Sequence, residues 1–249
     1  MNALKRFMLL MVAVLMLTPV SAADDHESEE PDPYREARMR MVEQDLARGS
    51  IFGRDAIEDE RVLDAMRTVR RHKFVPERLI GQAYSDRPLP IGHGQTISQP
   101  YIVAIMTELL ELEPDDVVLE IGAGSGYHAA VISEVASRVY TIEIVEPLAK
   151  SCIERLEELG YDNIEVKIGD GYNGWPEHGP FDAIVVTAAA SHIPPPLVEQ
   201  LKPGGRMVIP VGPPMMTQNL MLVEKDEDGE ITQRNLMPVR FVPLTRAND

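Results

Sequence analysis

Apolar positions along this chain change their period partway. From 34 to 48 and from 57 to 71 they recur three and four residues apart among many charges. Met39, Met41 and Leu46 mark one stripe; Val62, Leu63, Met66 and Val69 mark the other. That spacing predicts two amphipathic helices. Phe74 and Pro76 close this prelude, and a third helix is expected from about Pro100 to Leu112, with Ile102, Ile105, Met106 and Leu109 inward. Between them, residues 87–95 hold two prolines and two glycines and read as a loop.

From Val117 onward, short apolar runs alternate with helical segments. Strands are expected at 117–121, 139–142, 164–168, 183–187 and 206–211, and helices at 127–136, 147–159 (with Gly160 as its C-cap) and 196–201. The nearly continuous apolar run at 117–121 is the mark of a strand covered on both faces. Residues 220–224 and 231–242 form a closing antiparallel pair that turns at 226–229. The pattern therefore predicts an α/β fold: a doubly wound, mostly parallel sheet with an N-terminal helical subdomain and a C-terminal antiparallel strand pair. Ligands of such a sheet sit at the carboxyl ends of its strands.

The N-terminus reads differently. Lys5 and Arg6 precede an apolar stretch from Phe7 to Leu17, then Val20-Ser21-Ala22. That order is a secretory signal peptide over 1–22, with cleavage after Ala22 and export to the periplasm; the chain is cytoplasmic if this start is mis-assigned. The apolar run is too short to span a bilayer comfortably, so no stable membrane insertion is expected after cleavage. Residues 23–33, with Asp24, Asp25, Glu27, Glu29 and Glu30, read as an acidic linker. The remainder, 34–249, is one catalytic domain made of a helical, substrate-loop part (34–112) and a sheet part (113–249).

Composition narrows the partners. The 249 residues are 44% hydrophobic but only 5% aromatic, so aliphatic side chains must build the core. A formal charge of −16, or −18 once Lys5 and Arg6 are removed, repels a phosphate backbone and excludes nucleic acid as a natural partner. It also disfavours substrates with clustered negative charge. Cys152 cannot pair within the chain and lies at helical spacing with Leu148, Leu156 and Leu159, which is the pattern of a small buried hydrophobe.

The sharpest local signal is Glu120-Ile121-Gly122-Ala123-Gly124-Ser125-Gly126, between a buried strand and a helix. Its G-x-G-x-G spacing departs from the dinucleotide fingerprint G-x-G-x-x-G, which argues against a nicotinamide oxidoreductase. Glu143 stands 21 positions after Gly122 at the next strand end, near the offset of an acid that meets ribose hydroxyls. Asp170, in Gly169-Asp170-Gly171, ends the third strand, where it could accept from an adenine amine. Acids at three successive strand ends suit an adenosyl ligand with a cationic aminoacyl sulfonium group and suit a pyrophosphate poorly. A second signal is the segment 90–100. Ser98 precedes Gln99-Pro100, where its hydroxyl either caps a helix (worth ~1 kcal/mol) or stands at the mouth of the ligand site. His93 lies between glycines with no second ligand at a familiar metal spacing, and no metal site is expected. His128, His178 and His192 read as surface or packing residues.

These stretches resemble the protein-L-isoaspartate O-methyltransferases over about residues 38–245. The resemblance rests on Arg70-Arg71-His72-Lys73-Phe74-Val75-Pro76, the segment 90–100 with Thr96-Ile97-Ser98-Gln99-Pro100, and 119–127. It continues through 163–174, 181–189 and Leu201-Lys202-Pro203-Gly204-Gly205-Arg206. It implies a class I, Rossmann-like methyltransferase that uses S-adenosylmethionine and acts, as a monomer, on isoaspartyl-containing proteins and peptides. By the same resemblance Ser98 is the active-site residue. Glu120, Gly122, Gly124, Gly126, Glu143, Asp170 and Gly171 belong to the cofactor site; His93, Thr96, Ile97 and Thr245 lie on the substrate side. Two other readings stay open at this point: a methyltransferase of the same fold acting on another carboxylate or small molecule, and a non-catalytic binder of damaged proteins.

Overall fold

The computed structural model describes residues 32–48 and 54–247. The predicted signal peptide, 1–22, and all but the last two residues of the acidic linker lie outside the described residues. From Tyr34 onward the described chain forms one unit.

Helix α1 (Arg35–Met41) runs into a π-helical turn, Val42–Leu46. Helix α2 (Glu60–Thr68) starts at Asp59, whose side chain accepts from the Arg61 N–H at 2.8 Å, and it buries Val62, Leu63, Ala65 and Met66. The stretch expected to be a loop contains instead a small antiparallel hairpin, β1 (Leu89–Gly92) and β2 (Gln95–Ile97), with Leu89 opposite Ile97. Its strands are too short to show a period. Pro90, which cannot donate to a ladder, is tolerated because this two-stranded sheet is all edge. Helix α3 (Pro100–Glu108) follows at once.

The sheet part is β3 (Val117–Ile121), α4 (Tyr127–Ser133), β4 (Arg138–Glu143), α5 (Glu146–Glu158) and β5 (Ile164–Ile168). It continues with β6 (Phe181–Val186), α6 (Pro195–Glu199), β7 (Leu201–Val211), β8 (Gln218–Lys225) and β9 (Ile231–Val239). Helix α5 ends in a Schellman motif: Gly160 N–H donates to Glu157 O (3.1 Å) and Tyr161 N–H to Leu156 O (3.0 Å). The strand order is β5-β4-β3-β6-β7-β8-β9; the first five run parallel, and β8 and β9 are added antiparallel.

Alternate residues of the central strands serve two different cores. Val118, Val139, Ala183 and Val208 pack with α2, α3, α4 and α5 on one face, whereas Leu119, Ile121, Ile184 and Ile209 pack with Leu197 and Trp175 on the other. Covering on both faces is why these strands read as near-continuous apolar runs. The chain reverses direction across the sheet at β3, which lies between β4 and β6. A crevice at the carboxyl end of that strand is the geometric consequence of the topology.

Candidate active site

The glycine-rich turn leaves β3 through Gly122, whose φ is +101°. A Cβ there would overlap Thr187 Oγ1, the first residue past β6, and that hydroxyl donates to Gly122 O at 2.7 Å. Only glycine satisfies both the dihedral and the close approach. Gly124 N–H donates to Glu143 Oε2 (2.8 Å), and Glu143 Oε1 accepts from Val145 N–H (2.8 Å), so Glu143 staples the turn to the end of β4. A carboxylate offers about four acceptor positions, which leaves room on both oxygens for ligand hydroxyls. Gly126 serves packing. A Cβ on it would come within 2.9 Å of Cys152 Sγ on α5, and it does not line the cavity. Burial pushes the Cys152 thiol up to about 12, as expected of an inert hydrophobe.

Glu120 is wholly buried in β3. Its Oε2 accepts from Thr141 Oγ1 at 2.5 Å, and its Oε1 has no partner among the described residues. Burial raises its carboxyl to about 8; the Thr141 hydrogen bond opposes this, and the nearby charge of Glu143 adds to it. An unsatisfied carboxyl oxygen in a buried wall costs on the order of 1–3 kcal/mol until a donor arrives. The cavity that this wall faces is lined by Glu120 and Glu143, the turn 122–125, Gly171 and the segment 95–98, and, among the described residues, by no lysine or arginine. It suits a ligand bearing a cationic sulfonium and ammonium, such as S-adenosylmethionine, and it would repel a pyrophosphate. His128, read from sequence as surface or packing, is fully buried on the same wall. Thr107 Oγ1 donates to Val103 O (2.8 Å), so it accepts from His128 Nε2–H (3.0 Å), which leaves Nδ1 as a bare acceptor.

Ser98 does not cap α3. The N-cap is Gln99, without a side-chain cap bond, and the work is done from a distance by Asp86. Asp86 Oδ1 accepts from Tyr101 N–H (2.9 Å), and its Oδ2 accepts from Gln99 Nε2 (2.8 Å). The Ser98 hydroxyl thereby has no hydrogen-bond partner among the described residues. It lines the cofactor-type cavity and also a second cavity of about 500 Å³, a size typical of ligand pockets. Thr96, Ser98, Thr187 and Val242 are common to both. The second cavity is lined by Arg54 and Arg240, the aromatic rings of Tyr101 and Phe241, and, among the described residues, no carboxylate.

The C-terminal segment closes the first cavity as a strap. Ala189 N–H donates to Val242 O and Leu244 N–H to Ala189 O, both at 2.8 Å, which sets Val242, Pro243, Leu244 and Thr245 along its rim. Beyond them, Arg246 Nε donates to Asp170 Oδ2 (2.9 Å) while its guanidinium lies over the Tyr172 ring, 3.6 Å from the centroid. Burial pushes the Asp170 carboxyl up, but hydrogen bonds from Arg246, Tyr172 N–H and Ala247 N–H outweigh it and hold the group below the usual carboxylate range.

Of the residues singled out in the sequence, the fold gathers Thr96, Ile97, Ser98, Glu120, Gly122, Gly124, Glu143, Gly171 and Thr245 around one cavity. Asp170 does not line that cavity; its Oδ2 accepts from Arg246 Nε at 2.9 Å. His93 is exposed in the hairpin turn at φ +51° and lines neither cavity. Thr187, which walls both cavities, was legible only as the last residue of a strand; its position at a carboxyl edge was the available signal. Arg54 and Arg240 had none, because nothing in either local sequence links one to the other.

The model of the protein-L-isoaspartate (D-aspartate) O-methyltransferase family matches residues 48–249. Protein-L-isoaspartate O-methyltransferase 2 of Syntrophobacter fumaroxidans is 58% identical over 230 residues, covering 91% of this chain and 90% of that protein. A protein of the same name from Polaromonas is 64% identical over 187 residues, 75% of this chain and 89% of the relative. Among solved structures, a putative protein-L-isoaspartate O-methyltransferase from Plasmodium falciparum, in complex with S-adenosyl-L-homocysteine, superposes with a TM-score of 0.69 at 28% identity. It covers 84% of this chain and 98% of its own. The chain belongs to the protein-L-isoaspartate (D-aspartate) O-methyltransferase family.

Proposed function

We propose that this protein transfers the methyl group of S-adenosylmethionine to the free carboxylate of L-isoaspartyl residues in age-damaged proteins and peptides, which starts their repair. The observation that carries the reading is a pair of adjoining cavities of opposite character. Among the described residues, one is lined by Glu120 and Glu143 without a cation, the other by Arg54 and Arg240 without an acid, and they meet at Ser98 and Thr187. That polarity matches a cationic methyl donor facing an anionic acceptor.

When bound, S-adenosylmethionine supplies an electrophilic methyl group on a positively charged sulfur. Glu120 Oε1 and both oxygens of Glu143 hold the donor's ammonium and ribose side. The acceptor carboxylate is already ionised at neutral pH, so no general base is required. Ser98 Oγ, free of any partner among the described residues, donates to one oxygen of that carboxylate and leaves the other oxygen's lone pair directed across the junction. Thr96 and Ile97 in β2 hold the peptide beside it. Thr187 keeps the wall of the junction in place through its bond to Gly122 O. Rate enhancement then comes mainly from orientation, which can supply ~7–11 kcal/mol in well-aligned systems.

The test is transfer of labelled methyl to a peptide containing isoaspartate beside its aspartate twin, using protein that starts at Ala23. Base-labile label on the isoaspartyl peptide alone is the expected result. Equal labelling of both peptides, or none with cofactor binding intact, would sink the assignment. The order of charged, apolar and small residues in 1–22 supports an exported, periplasmic protein that begins at Ala23. N-terminal sequencing of protein recovered from a periplasmic extract checks that; an intact Met1 in the cytosolic fraction would overturn it.

A further inference from the structure

The second cavity holds more positive charge than the methyl-accepting carboxylate can use. That carboxylate has to reach the junction formed by Thr96, Ser98, Thr187 and Val242, the residues common to both cavities. Arg54 and Arg240 line only the second cavity. Arg54 is already engaged: its Nη2 lies 2.9 Å from Asp86 Oδ2, and its guanidinium sits over the Tyr101 ring, 4.4 Å from the centroid. Arg240 is different. It is exposed just past the end of β9, and its guanidinium has no hydrogen-bond or ion-pair partner among the described residues. In a chain with 40 acidic and 24 basic residues, a cation left unpaired on the wall of an acid-free cavity calls for an anion from elsewhere.

The position of Arg240 fixes which anion that is. It stands two residues before Val242, which bounds the reaction junction, so the two Cα atoms are at most ~7 Å apart. A substrate peptide advances ~3.3–3.6 Å per residue when extended. Arg240 lines the second cavity and not the first, so it suits groups one or two residues away from the isoaspartyl residue rather than the carboxylate at Ser98. A guanidinium fork suits a carboxylate geometrically.

Resting on the function proposed above, we infer that Arg240 is a specificity-determining residue that pairs with a second carboxylate of the substrate, within two residues of the isoaspartate. The enzyme accordingly prefers isoaspartyl sites flanked by an acidic side chain or by the chain's own C-terminus. The local groove thus selects the kind of neighbour that the overall charge of the molecule, taken alone, would disfavour.

The experiment uses sets of isoaspartyl peptides that differ only in carrying Glu or Gln one or two residues to either side of the isoaspartate. A further pair ends two residues after it, as free acid or as amide. KM and kcat are measured for the wild type, Arg240→Gln and Arg240→Lys. At one position at least, the wild type should show a KM about three- to fivefold lower for the carboxylate-bearing partner, the range of an exposed ion pair. Arg240→Gln should bring that ratio to about one, and Arg240→Lys should restore part of it. The Glu/Gln sets and the acid/amide pair distinguish a side-chain carboxylate from a terminal one. A wild-type ratio of one or less in every set, or a preference that survives in Arg240→Gln, would overturn the inference. If none of the peptides is methylated, the substrate reading itself falls, and that outcome is distinct from methylation without discrimination.

Discussion

At the scale of single residues, Glu120 shows how a binding site is built against the stability of its own fold. Burial pushes its carboxyl from an ordinary 4.5 up to about 8 in the folded protein. The folded state therefore keeps a proton that the unfolded chain releases, and stability falls as pH rises from 4.5 towards 8. His128 acts in the opposite direction. Burial lowers its ring from 6.5 to about 3, so the unfolded chain takes up a proton first and stability falls as pH drops below 6.5. Melting temperature of the ligand-free protein should decline on both sides of a maximum between pH 4.5 and 6.5, as far as these two groups govern it. Glu120→Gln, which keeps the shape and removes the titration, should flatten the alkaline side; an unchanged slope between pH 5 and 8 would remove Glu120 as its source. The same substitution should weaken cofactor binding, because the orphaned oxygen becomes an amide facing a cation. Binding of S-adenosylhomocysteine to the wild type at pH 7 should release a proton as the ammonium draws Glu120 into its ionised form. Calorimetry in two buffers of different ionisation enthalpy reads that directly, and identical apparent enthalpies would count against the contact. Ser98→Ala should lower kcat by tenfold or more, with S-adenosylhomocysteine affinity little changed, since one hydrogen bond to a charged group is worth ~1.5–3 kcal/mol. Full turnover at saturating cofactor would end the positioning role.

At the scale of elements, the turn between β3 and α4 is fixed from both sides. Thr187 after β6 occupies the space beside Gly122, and Cys152 and Leu156 on α5 occupy the space beside Gly126. Gly126→Ala meets two costs, a side chain at φ +88° and an overlap with Cys152 Sγ. Together these should destabilise by ~2–4 kcal/mol. Combining it with Cys152→Ala should recover the overlap and not the backbone strain. A double-mutant cycle by denaturant unfolding tests this, and strict additivity would show that the packing contact carries no energy. The C-terminal strap makes a second prediction. It is tied at Ala189 by backbone bonds and at Asp170 by Arg246. Arg246→Ala should speed dissociation of S-adenosylhomocysteine several-fold, measured by stopped-flow fluorescence or surface plasmon resonance. An unchanged off-rate would mean that the backbone bonds alone hold the strap shut.

At the scale of the whole molecule, charge acts over distances that no single contact covers. A net charge of −16 repels acidic protein substrates during their approach, and that repulsion is screened within ~8–10 Å at physiological ionic strength. Adding salt from low ionic strength should raise kcat/KM for an acidic aged protein and lower it for a basic one. Salt responses of the same sign for both would show that encounter is not governed by net charge. The Arg240 contact works inside the groove after encounter, so its preference among short peptides is a separate observable.

How much of this was legible in sequence follows the range of the interactions involved. The alternation of strands and helices, the buried run at 117–121, the turn at 120–126 and the placing of Glu120 and Glu143 at one end of the sheet were all readable. Each is written in local periodicity, or in where a residue stands along its own strand. The hairpin at 89–97 was not, because its two short strands carry no period and are paired only by each other. The free hydroxyl of Ser98 was not, because Asp86, twelve residues earlier, takes over the capping. Nor was the capture of Asp170 by Arg246, 76 residues away, or the meeting of Arg54 with Arg240 across one cavity. The sequence by itself determined the sheet, its cofactor edge and the chemistry of its acids, since these follow from backbone sterics and local hydrophobic pattern. Tertiary structure alone decided which polar groups are left without a partner, because pairing between distant side chains is settled by where packing brings them. Glu120 Oε1, Ser98 Oγ and the Arg240 guanidinium, unpartnered among the described residues, are the groups that the proposed function assigns to ligands.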